Sequence, residues 1–182
     1  LDSIVAQTYE NWECIIVNDN SSDNTDEVVG DYLKNDDRFQ YYHLPIDRHN
    51  GGNAARNYGL EKSKGEFVNW FDSDDLMNFN FIDEKMKIIT KTNNLDFVVS
   101  KCINFFSDNT FEEIKYYKSI HDYELNVENF ILENPFWITQ DFLIKKKSLK
   151  DIIFDEQLKS GQEYNFFIRL LAFNDLKGFF FR

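Results

Sequence analysis

Short apolar runs alternate with longer amphipathic stretches along the first half of the chain. The runs "ECIIVND" at 13–19 and "EFVNWF" at 66–71 have the length and continuous apolar character of buried strands in a parallel sheet. The segment 38–44 is also strand-like. Apolar spacing and capping residues predict helices between these strands, namely the end of a helix over 1–9, a helix that begins at Asp23 or Asn24, a helix over 51–65, and a helix that carries Ile82, Met86 and Ile89.

The second half of the chain follows a different pattern. The stretches 96–106 and 113–119 are typical of paired strands, and 163–173 predicts a helix. The alternation of strands and helices predicts an α/β fold with a doubly wound, mostly parallel sheet and helices on both faces. We expect the later residues to form a smaller mixed sheet packed against it, within a single domain over 1–182.

Both ends of the chain interrupt this pattern. The chain begins inside a predicted helix, whereas a doubly wound domain should begin with a strand. The last residues, "GFFFR", stop within a strand-like run. We therefore expect a domain that is truncated at both ends.

The net charge limits the classes of binding partner, and the cysteines indicate the redox state of the compartment. The 20 Lys and Arg residues against 32 Asp and Glu residues give a net charge of −12, which repels nucleic acid and offers no basic face for anionic lipid. No apolar run approaches membrane-spanning length. Cys14 and Cys102 each lie in an apolar run without a CxxC pair, so we expect buried, reduced thiols in a cytosolic compartment, with a disulfide as the alternative.

Three acidic residues follow two of the predicted strands. Asp19 ends the run 13–19, and Asp72 and Asp74 directly follow the run 66–71. Because ligands bind at the carboxyl ends of strands in open α/β sheets, we expect these carboxylates to converge on one site. Two carboxylates about 5 Å apart repel by roughly 1 to 3 kcal/mol, and a hard divalent ion, Mg²⁺ or Mn²⁺, would relieve that repulsion.

Other interpretations of these acids can be compared with the sequence. An acidic turn that caps the following helix is one alternative. An EF-hand requires Gly at the sixth loop position, where Met77 stands, and is excluded. An aspartyl-phosphate phosphatase would have Thr or Val where Leu76 stands, so that alternative is weakened but open.

Two further segments carry candidate chemistry. Gly51 and Gly52 allow a backbone to approach a ligand closely, and Arg56, one turn into the next helix, is placed to bind a phosphate, a ribose or a base. A glycine turn with a solvated arginine is the alternative. Glu163 begins the helix 163–173, where the helix dipole favours a carboxylate and where a general base would have to face a cleft.

The remaining aromatic and histidine residues point to no site. Phe136 and Trp137 are interpreted as core residues rather than as a platform for a sugar ring. The three histidines lack metal-ligand spacing and have no assigned role; they are His43, His49 and His121.

Three ordered segments resemble the family-2 glycosyltransferases: "QTYENWECIIVNDNSSDNT", "GGNAARNYGLEKSKGEFVNWFDSDD" and "SGQEYNFFIRLL". Their order and spacing match over nearly the whole chain. The resemblance implies the GT-A fold, in which a Rossmann-like nucleotide-binding half (1–76) joins an acceptor-binding half (77–182). It also implies that the family's first strand is absent from this sequence. Since that strand is central in the family's sheet, the segment alone should fold poorly.

The resemblance implies roles in binding the donor. Asp19 would contact the nucleotide base, Arg56 would lie near the base and the phosphates, and Asp72 would lie near the ribose. Gly52 belongs to the same donor site. Next to Asp19 the family often has Asp and Gly, where this sequence has asparagines at positions 18 and 20.

The resemblance also implies the catalytic groups. Asp74 would be the main ligand of a Mn²⁺ or Mg²⁺ cofactor, whereas Asp75 is often acidic in the family without a clear role. Glu163 falls where the family commonly places the Asp of a Glu–Asp pair, which is the general base. Gln162 replaces the Glu of that pair, a departure that bears on the assignment of the base.

These roles predict an inverting transfer of a sugar from a nucleotide-sugar donor, by default a UDP-sugar, to a hydroxyl of a glycan or lipid-linked acceptor. Precursors of surface polysaccharide or lipopolysaccharide are the expected acceptors. We expect at most peripheral membrane association and a cytoplasmic location, which includes the cytoplasmic face of the inner membrane. Two alternatives stay open: a non-catalytic module that binds nucleotide sugars, and a phosphoryl-transfer enzyme (a nucleotidyltransferase or a phosphatase) that uses the same acids.

Overall fold

The computed structural model describes residues 1–106, 110–113, 125–132 and 137–181. His121, Phe136 and residues 114–119 of a predicted strand therefore lie outside the described residues. The order of the strands and helices confirms the predicted α/β class. In chain order they are α1 (Asp2–Val5), β1 (Cys14–Asn18), α2 (Thr25–Asn35), β2 (Phe39–His43), α3 (Gly52–Lys62), β3 (Phe67–Val68), α4 (Phe81–Lys91), β4 (Phe97–Ser100), β5 (Ile103–Phe105), β6 (Phe111–Glu113), α5 (Val127–Ile131), β7 (Phe142–Lys145), α6 (Gln162–Phe173) and β8 (Gly178–Phe181).

Two short 3-10 helices flank β7. The first, Thr139–Asp141, is called the TQD turn below, and the second is Lys146–Leu149.

The described strands form three sheets. β1 and β2 pair in parallel, and β5 pairs with β6 antiparallel. The four-stranded sheet has the order β3-β7-β4-β8, in which β7 runs antiparallel to both of its neighbours and β8 runs parallel to β4. The expectation that the later residues would stay apart in a smaller mixed sheet is therefore only partly right, because β7 and β8 join the sheet that contains β3.

Helices cover both faces of the four-stranded sheet, and all four residues of β4 are buried. Val98 packs with Ile89 of α4 on one face, whereas Phe97 and Val99 join an aromatic cluster with α5 and α6 on the other. Trp137 lies in that cluster with no exposed surface, and its ring centroid is 4.6 Å from that of Phe130. The interpretation of Trp137 as a core residue is confirmed.

Two of the predicted elements end early because polar groups bond elsewhere. The predicted helix over 1–9 stops at Val5, because the Gln7 side chain donates to the carbonyl of Asn78 at 2.7 Å and the Thr8 N–H donates to the carbonyl of Phe79 at 2.8 Å. The predicted strand 66–71 keeps only β3. The residue after β3, Asn69, donates its side-chain amide to carbonyls of the TQD turn instead of continuing the strand.

The expectation of buried thiols is only partly right, because Cys14 and Cys102 are both half-buried. Cys14 and Cys102 are both free rather than joined by a disulfide. Burial raises the pKa of the Cys14 thiol to about 12, so this thiol stays protonated at neutral pH.

Within the part of the chain that the structure describes, no helix is both long enough and apolar enough to cross a membrane.

Lys85 joins α4 to the TQD turn from inside the protein. The residue is fully buried, and its Nζ donates to the backbone carbonyl of Asp141 and lies 3.9 Å from the ring centroid of Phe81. Burial lowers the pKa of Lys85 to about 7, although the nearby carboxylate of Asp141 and the thiol of Cys102 oppose the shift. A lysine with so low a pKa makes the stability of the fold depend on pH.

We expect the wild-type protein to gain stability over the Lys85→Met variant as the pH rises from 7 to 9. Folded Lys85 has largely lost its proton above about pH 7, whereas the unfolded lysine keeps its proton up to the ordinary value of 10.5. The unfolded state thus binds more protons in this window, and the free energy of unfolding rises with pH by about 2 kcal/mol. Urea unfolding of both proteins at the two pH values measures the difference.

The matched control is Lys87→Met, on the same helix. Lys87 is exposed, and hydrogen bonds to Asp83 and Glu84 raise its pKa, so its proton stays bound throughout the window. Its replacement should give the same stability difference at pH 7 and pH 9. If the stability difference between the wild type and Lys85→Met is also the same at both pH values, the pKa of Lys85 is not strongly lowered in the folded protein.

A second prediction concerns the contact between β4 and β8. Gly178 lies opposite Phe97, and a Cβ at this position would stand 2.2 Å from Cζ of the buried Phe97 ring. We expect Gly178→Ala to lower the free energy of unfolding by about 1–3 kcal/mol, because the ring must move within a packed core. Denaturant unfolding midpoints measure the loss.

Gly30→Ala in α2 is the control, because a Cβ there meets no atom of the described residues within 4 Å. This substitution should raise the free energy of unfolding by about 0.5–1 kcal/mol, as expected for Gly to Ala inside a helix. Equal stability of Gly178→Ala and the wild type would contradict the close contact.

Candidate active site

Asp19 lies directly after β1, and its carboxylate reaches the loop that precedes α3. Oδ2 accepts the backbone N–H of Gly51 at 2.6 Å. Gly51 has a φ of 116°, a value that side chains disfavour, so the turn requires glycine at this position. Oδ1 of Asp19 is buried and has no hydrogen-bond partner among the described residues. The carboxylate therefore keeps one unused acceptor.

Two asparagines shape the loop around Asp19. Asn18 is buried, and its Oδ1 accepts the backbone N–H of Ser21 at 2.7 Å while its Nδ2 donates to Asp26 at 3.1 Å. Asn20 has a φ of 58°, in the left-handed region that Gly and Asn tolerate best. This backbone conformation explains why Asn20 stands where glycine is common in the sequences that the chain resembles.

Arg56 connects α3 with the acids that follow β3. Its Nη2 donates to Oδ1 of Asp72 at 2.9 Å, which forms a partly buried ion pair. Gly52 leaves room for the guanidinium, because a Cβ at Gly52 would stand 3.1 Å from Nη1 of Arg56. The structure thus brings Gly52, Arg56 and Asp72 together.

The three acids after β3 differ in their surroundings. Nε2 of Gln140 donates to Oδ2 of Asp72 at 3.0 Å and to Oδ2 of Asp75 at 2.6 Å. Asp74 is exposed and forms no hydrogen bond or ion pair with the other described residues. Arg56 and Gln140 therefore relieve the repulsion between the carboxylates, and Asp74 is the acid with both oxygens available.

Glu163, the second residue of α6, is tied to the TQD turn by one oxygen. Its Oε1 accepts the backbone N–H of Thr139 at 3.3 Å and also the Thr139 hydroxyl. Thr139 itself has no exposed surface. Oε2 of Glu163 accepts no hydrogen bond from the residues that the structure describes, so one oxygen is held and the other is uncommitted.

The TQD turn is held from several sides. Asp141, also fully buried, accepts the backbone N–H of Ile138 at 3.1 Å and the thiol of Cys102. Nδ2 of Asn69 donates to the carbonyls of Thr139 at 3.3 Å and of Gln140 at 3.2 Å. Together with the bond from the buried Nζ of Lys85 to the Asp141 carbonyl, these bonds fix the turn to its neighbours.

A continuous path of contacts joins most of the sequence-predicted site residues. It runs from the loop after β1 through the glycine turn, α3 and the acids after β3 to the TQD turn and α6. Asp74 lies beside this path without joining it. The predicted residues on the path are Asp19, Gly52, Arg56, Asp72 and Glu163.

No role was predicted from the sequence for Thr139 and Gln140, because the aromatic residues around them indicated a core segment. A signal was present in "FWITQDFLI", where three polar residues interrupt an otherwise apolar run. Polar residues inside a buried segment need hydrogen-bond partners, and here the partners are the candidate site residues.

A cavity of about 480 Å³ adjoins the glycine turn. It lies between residues 49–53 and residues 156–159, and Gly52 and Gln162 both line it. Gln162 directly precedes Glu163, so the cavity reaches from the start of α3 to the start of α6. Its place between two helix N-termini suits an anionic or hydroxyl-rich ligand.

The site is rich in carboxylates but has no dense cluster of metal ligands. Within the described ranges, no three His, Cys, Asp or Glu side chains lie close enough together to hold a metal ion. A cation at this site would therefore be bound by one or two carboxylates, with other ligands completing its shell.

Solved structures share the fold of this chain. A crystal structure of S. aureus TarS superimposes with a TM-score of 0.77 at 22% identity, over 98% of this chain and 52% of that one. The mannosyltransferase PcManGT from Pyrobaculum calidifontis, solved in complex with GDP-Man and Mn²⁺, gives a TM-score of 0.67 at 15% identity, over 98% of this chain and 48% of that one. These matches confirm the predicted GT-A fold.

Sequence relatives agree with the structural matches. An uncharacterized glycosyltransferase of Rickettsia felis is 32% identical over 178 residues, which is 94% of this chain and 28% of that protein. The chain thus spans less than a third of that relative's length. The model of glycosyl transferase family 2 matches residues 1–153. Because that match takes in the strands and helices that carry Asp19, Arg56 and Asp72, and the fold agrees with it, the chain belongs to glycosyl transferase family 2.

Proposed function

We propose that this chain forms the donor site and the catalytic base of an inverting glycosyltransferase. The observation that carries the proposal is the path of contacts that ends on Glu163. This path sets a carboxylate with one free oxygen beside the turn that also holds Asp72. Membership of glycosyl transferase family 2 supports the reaction class.

Residues 1–76 would bind the nucleotide sugar, and residues 77–182 would bind the acceptor. The unused Oδ1 of Asp19 suits an N–H donor of a nucleobase. Arg56 and the glycine turn suit ribose and phosphate oxygens, and the adjoining cavity offers room for the sugar. A UDP-sugar is the proposed donor.

The acids suit a divalent cofactor. Carboxylates are hard oxygen ligands, and Mg²⁺ or Mn²⁺ takes few of them when substrate phosphates complete its shell. Asp74, with Asp72 or Asp75, would hold the ion. PcManGT, which shares the fold, was solved with GDP-Man and Mn²⁺, so a divalent ion is compatible with this fold. Once bound, such an ion neutralises negative charge on the departing diphosphate.

Glu163 would act as the general base in a single displacement. Its free Oε2 takes the proton from an acceptor hydroxyl while that oxygen bonds to the anomeric carbon. The bond between the anomeric carbon and the diphosphate oxygen breaks on the opposite face, and its electron pair leaves with the diphosphate. One displacement inverts the configuration at the anomeric carbon.

The acceptor would be a hydroxyl of a glycan or of a lipid-linked sugar, such as a precursor of surface polysaccharide or lipopolysaccharide. We propose a cytoplasmic location, or peripheral association with the cytoplasmic face of the inner membrane. The net charge of −12 argues against a nucleic-acid partner.

We expect Glu163→Gln to lower the rate of sugar transfer by about 10²–10⁴-fold while donor affinity is kept, because the amide cannot accept the proton. Initial rates of nucleotide release and of product formation measure the loss, and donor titration measures the affinity. The control is Glu128→Gln, at the second position of α5, which is exposed and lies outside the path of contacts. Its activity should match that of the wild type.

Other outcomes of this experiment favour the alternatives. Unchanged transfer by Glu163→Gln would remove Glu163 as the base. Cleavage at phosphorus rather than at the anomeric carbon would point to phosphoryl transfer, and donor binding without turnover in the wild type would indicate a non-catalytic binding module.

A thermal-shift screen tests the donor and the ion together. The panel contains UDP-glucose, UDP-galactose, UDP-N-acetylglucosamine and GDP-mannose, each with and without Mn²⁺. A ligand that binds only the folded state, at a concentration of 100 times its Kd, raises the free energy of unfolding by about 2.7 kcal/mol. For a chain of this size, that gain raises Tm by about 5–10 °C.

We expect the shift to require both a UDP-sugar and Mn²⁺, and we expect Asp74→Asn to lose the part that depends on Mn²⁺. A control substitution, Asp31→Asn, removes an exposed carboxylate of α2 and should leave the shift unchanged. A full shift without metal would show that the acids do not hold an ion.

A further inference from the structure

We propose that Thr139 and Gln140 are positioning residues for the transfer reaction: Thr139 orients the carboxylate of Glu163, and Gln140 holds Asp72 and Asp75 in place. This inference rests on the proposed function, because it gives these residues a task in that reaction. The TQD turn would thereby couple the base on α6 to the acids that follow β3.

Thr139 determines which oxygen of Glu163 can react. Its backbone N–H donates to Oε1 of Glu163 at 3.3 Å, and its hydroxyl also reaches that oxygen, with Oε1 of Gln140 at 3.0 Å as a second acceptor for the hydroxyl proton. The residue that carries both donors is fully buried within a 3-10 helix. A glutamate side chain without such bonds samples several rotamers. Two donors on one oxygen hold the carboxylate in one orientation and leave Oε2 for the acceptor hydroxyl.

Gln140 organises the acids without adding charge. One amide nitrogen donates to Oδ2 of both Asp72 and Asp75, and Arg56 takes the remaining oxygen of Asp72. A lysine at this position would neutralise the cluster. A neutral amide relieves the repulsion between two carboxylates and preserves the negative potential that attracts a divalent ion.

The spacing between base and acids is set by one peptide unit. Thr139 and Gln140 are consecutive, so their Cα atoms are about 3.8 Å apart. The turn that carries them is held by hydrogen bonds from Asn69, from the buried Nζ of Lys85 and from the Ile138 backbone to Asp141. A small displacement of either reacting group would cost rate, since misplacement by about 1 Å lowers rates by up to about 10²-fold.

The experiment compares variants of the whole protein in sugar transfer, with Mn²⁺ and the UDP-sugar that gives the largest thermal shift. Thr139→Val removes the hydroxyl at nearly constant volume, and Thr139→Ser keeps it. We expect Thr139→Val to lower kcat by about 10- to 100-fold with donor KM little changed, and we expect Thr139→Ser to recover most of the activity. Melting temperatures show that each variant folds.

A double-mutant cycle separates positioning from general structural damage. If Thr139 acts through the carboxylate of Glu163, then Thr139→Val should cause no further loss in a Glu163→Ala background. Multiplied losses in the double variant would overturn the proposal for Thr139, as would full activity of Thr139→Val. Either result would leave the proposed function standing if Glu163→Gln is inactive.

Gln140→Met tests the second half of the proposal. We expect the Mn²⁺ concentration for half-maximal activity to rise by about tenfold, because the acids lose their shared donor. The control is Gln40→Met, which removes a similar hydrogen bond, at 2.9 Å, from Gln40 to Glu13 on the β1–β2 sheet. An unchanged Mn²⁺ requirement in Gln140→Met would overturn the assignment of Gln140.

A wild-type protein that transfers no sugar from any donor in the panel would overturn the proposed function, and this inference with it. That result is distinguishable from the others, because it appears before any substitution is made.

Discussion

The TQD turn carries polar side chains and backbone groups into an aromatic core, where each must find a hydrogen-bond partner. A buried polar group without a partner costs about 1–3 kcal/mol, so this requirement constrains everything around it. Thr139 and Asp141 have no exposed surface at all. Their partners come from α4, the segment after β3, the segment after β4, and α6, so the hydrogen bonds of the turn join these elements.

β7 places the turn at the site. This strand lies between β3 and β4 and runs antiparallel to both, so the residues before its first position lie at the same edge of the sheet as the residues after Val68. The acids at 72–75 and the turn therefore meet although they are far apart in the sequence. Helix α6, which packs on the same aromatic cluster, brings Glu163 to the turn.

Hydrogen bonds within the protein offset part of the repulsion between the acids that follow β3. One guanidinium and one amide share the carboxylates of Asp72 and Asp75, and Asp74 stays exposed. These bonds hold Asp72 and Asp75 to neighbouring elements, and such preorganisation would lower the cost of binding a ligand at the proposed site. The arrangement also leaves one acid whose oxygens are uncommitted.

Much of the fold and part of the site could be predicted from local sequence. Apolar periodicity predicted the strands around Ile15 and Tyr41 and the helices α2, α3, α4 and α6, because burial on one or both faces leaves its period in the sequence. The glycine turn before α3 was also predicted from the sequence, and Gly51 there has a positive φ. The acids and Arg56 were identified by their places at strand ends and at a helix start.

What the sequence determined by itself is therefore the set of strands and helices and the positions that bear charge beside them. Only the tertiary structure decided where the first helix ends, that β3 is two residues long and pairs with β7, and that Thr139 and Gln140 face Glu163 and Asp72. These outcomes depend on contacts between residues that are distant in the sequence, such as the hydrogen bond from the Ile82 N–H to the Gln7 side chain and the pairing of Phe67 with Lys145. A local pattern records which side chains are buried, but it does not record which distant partner satisfies them.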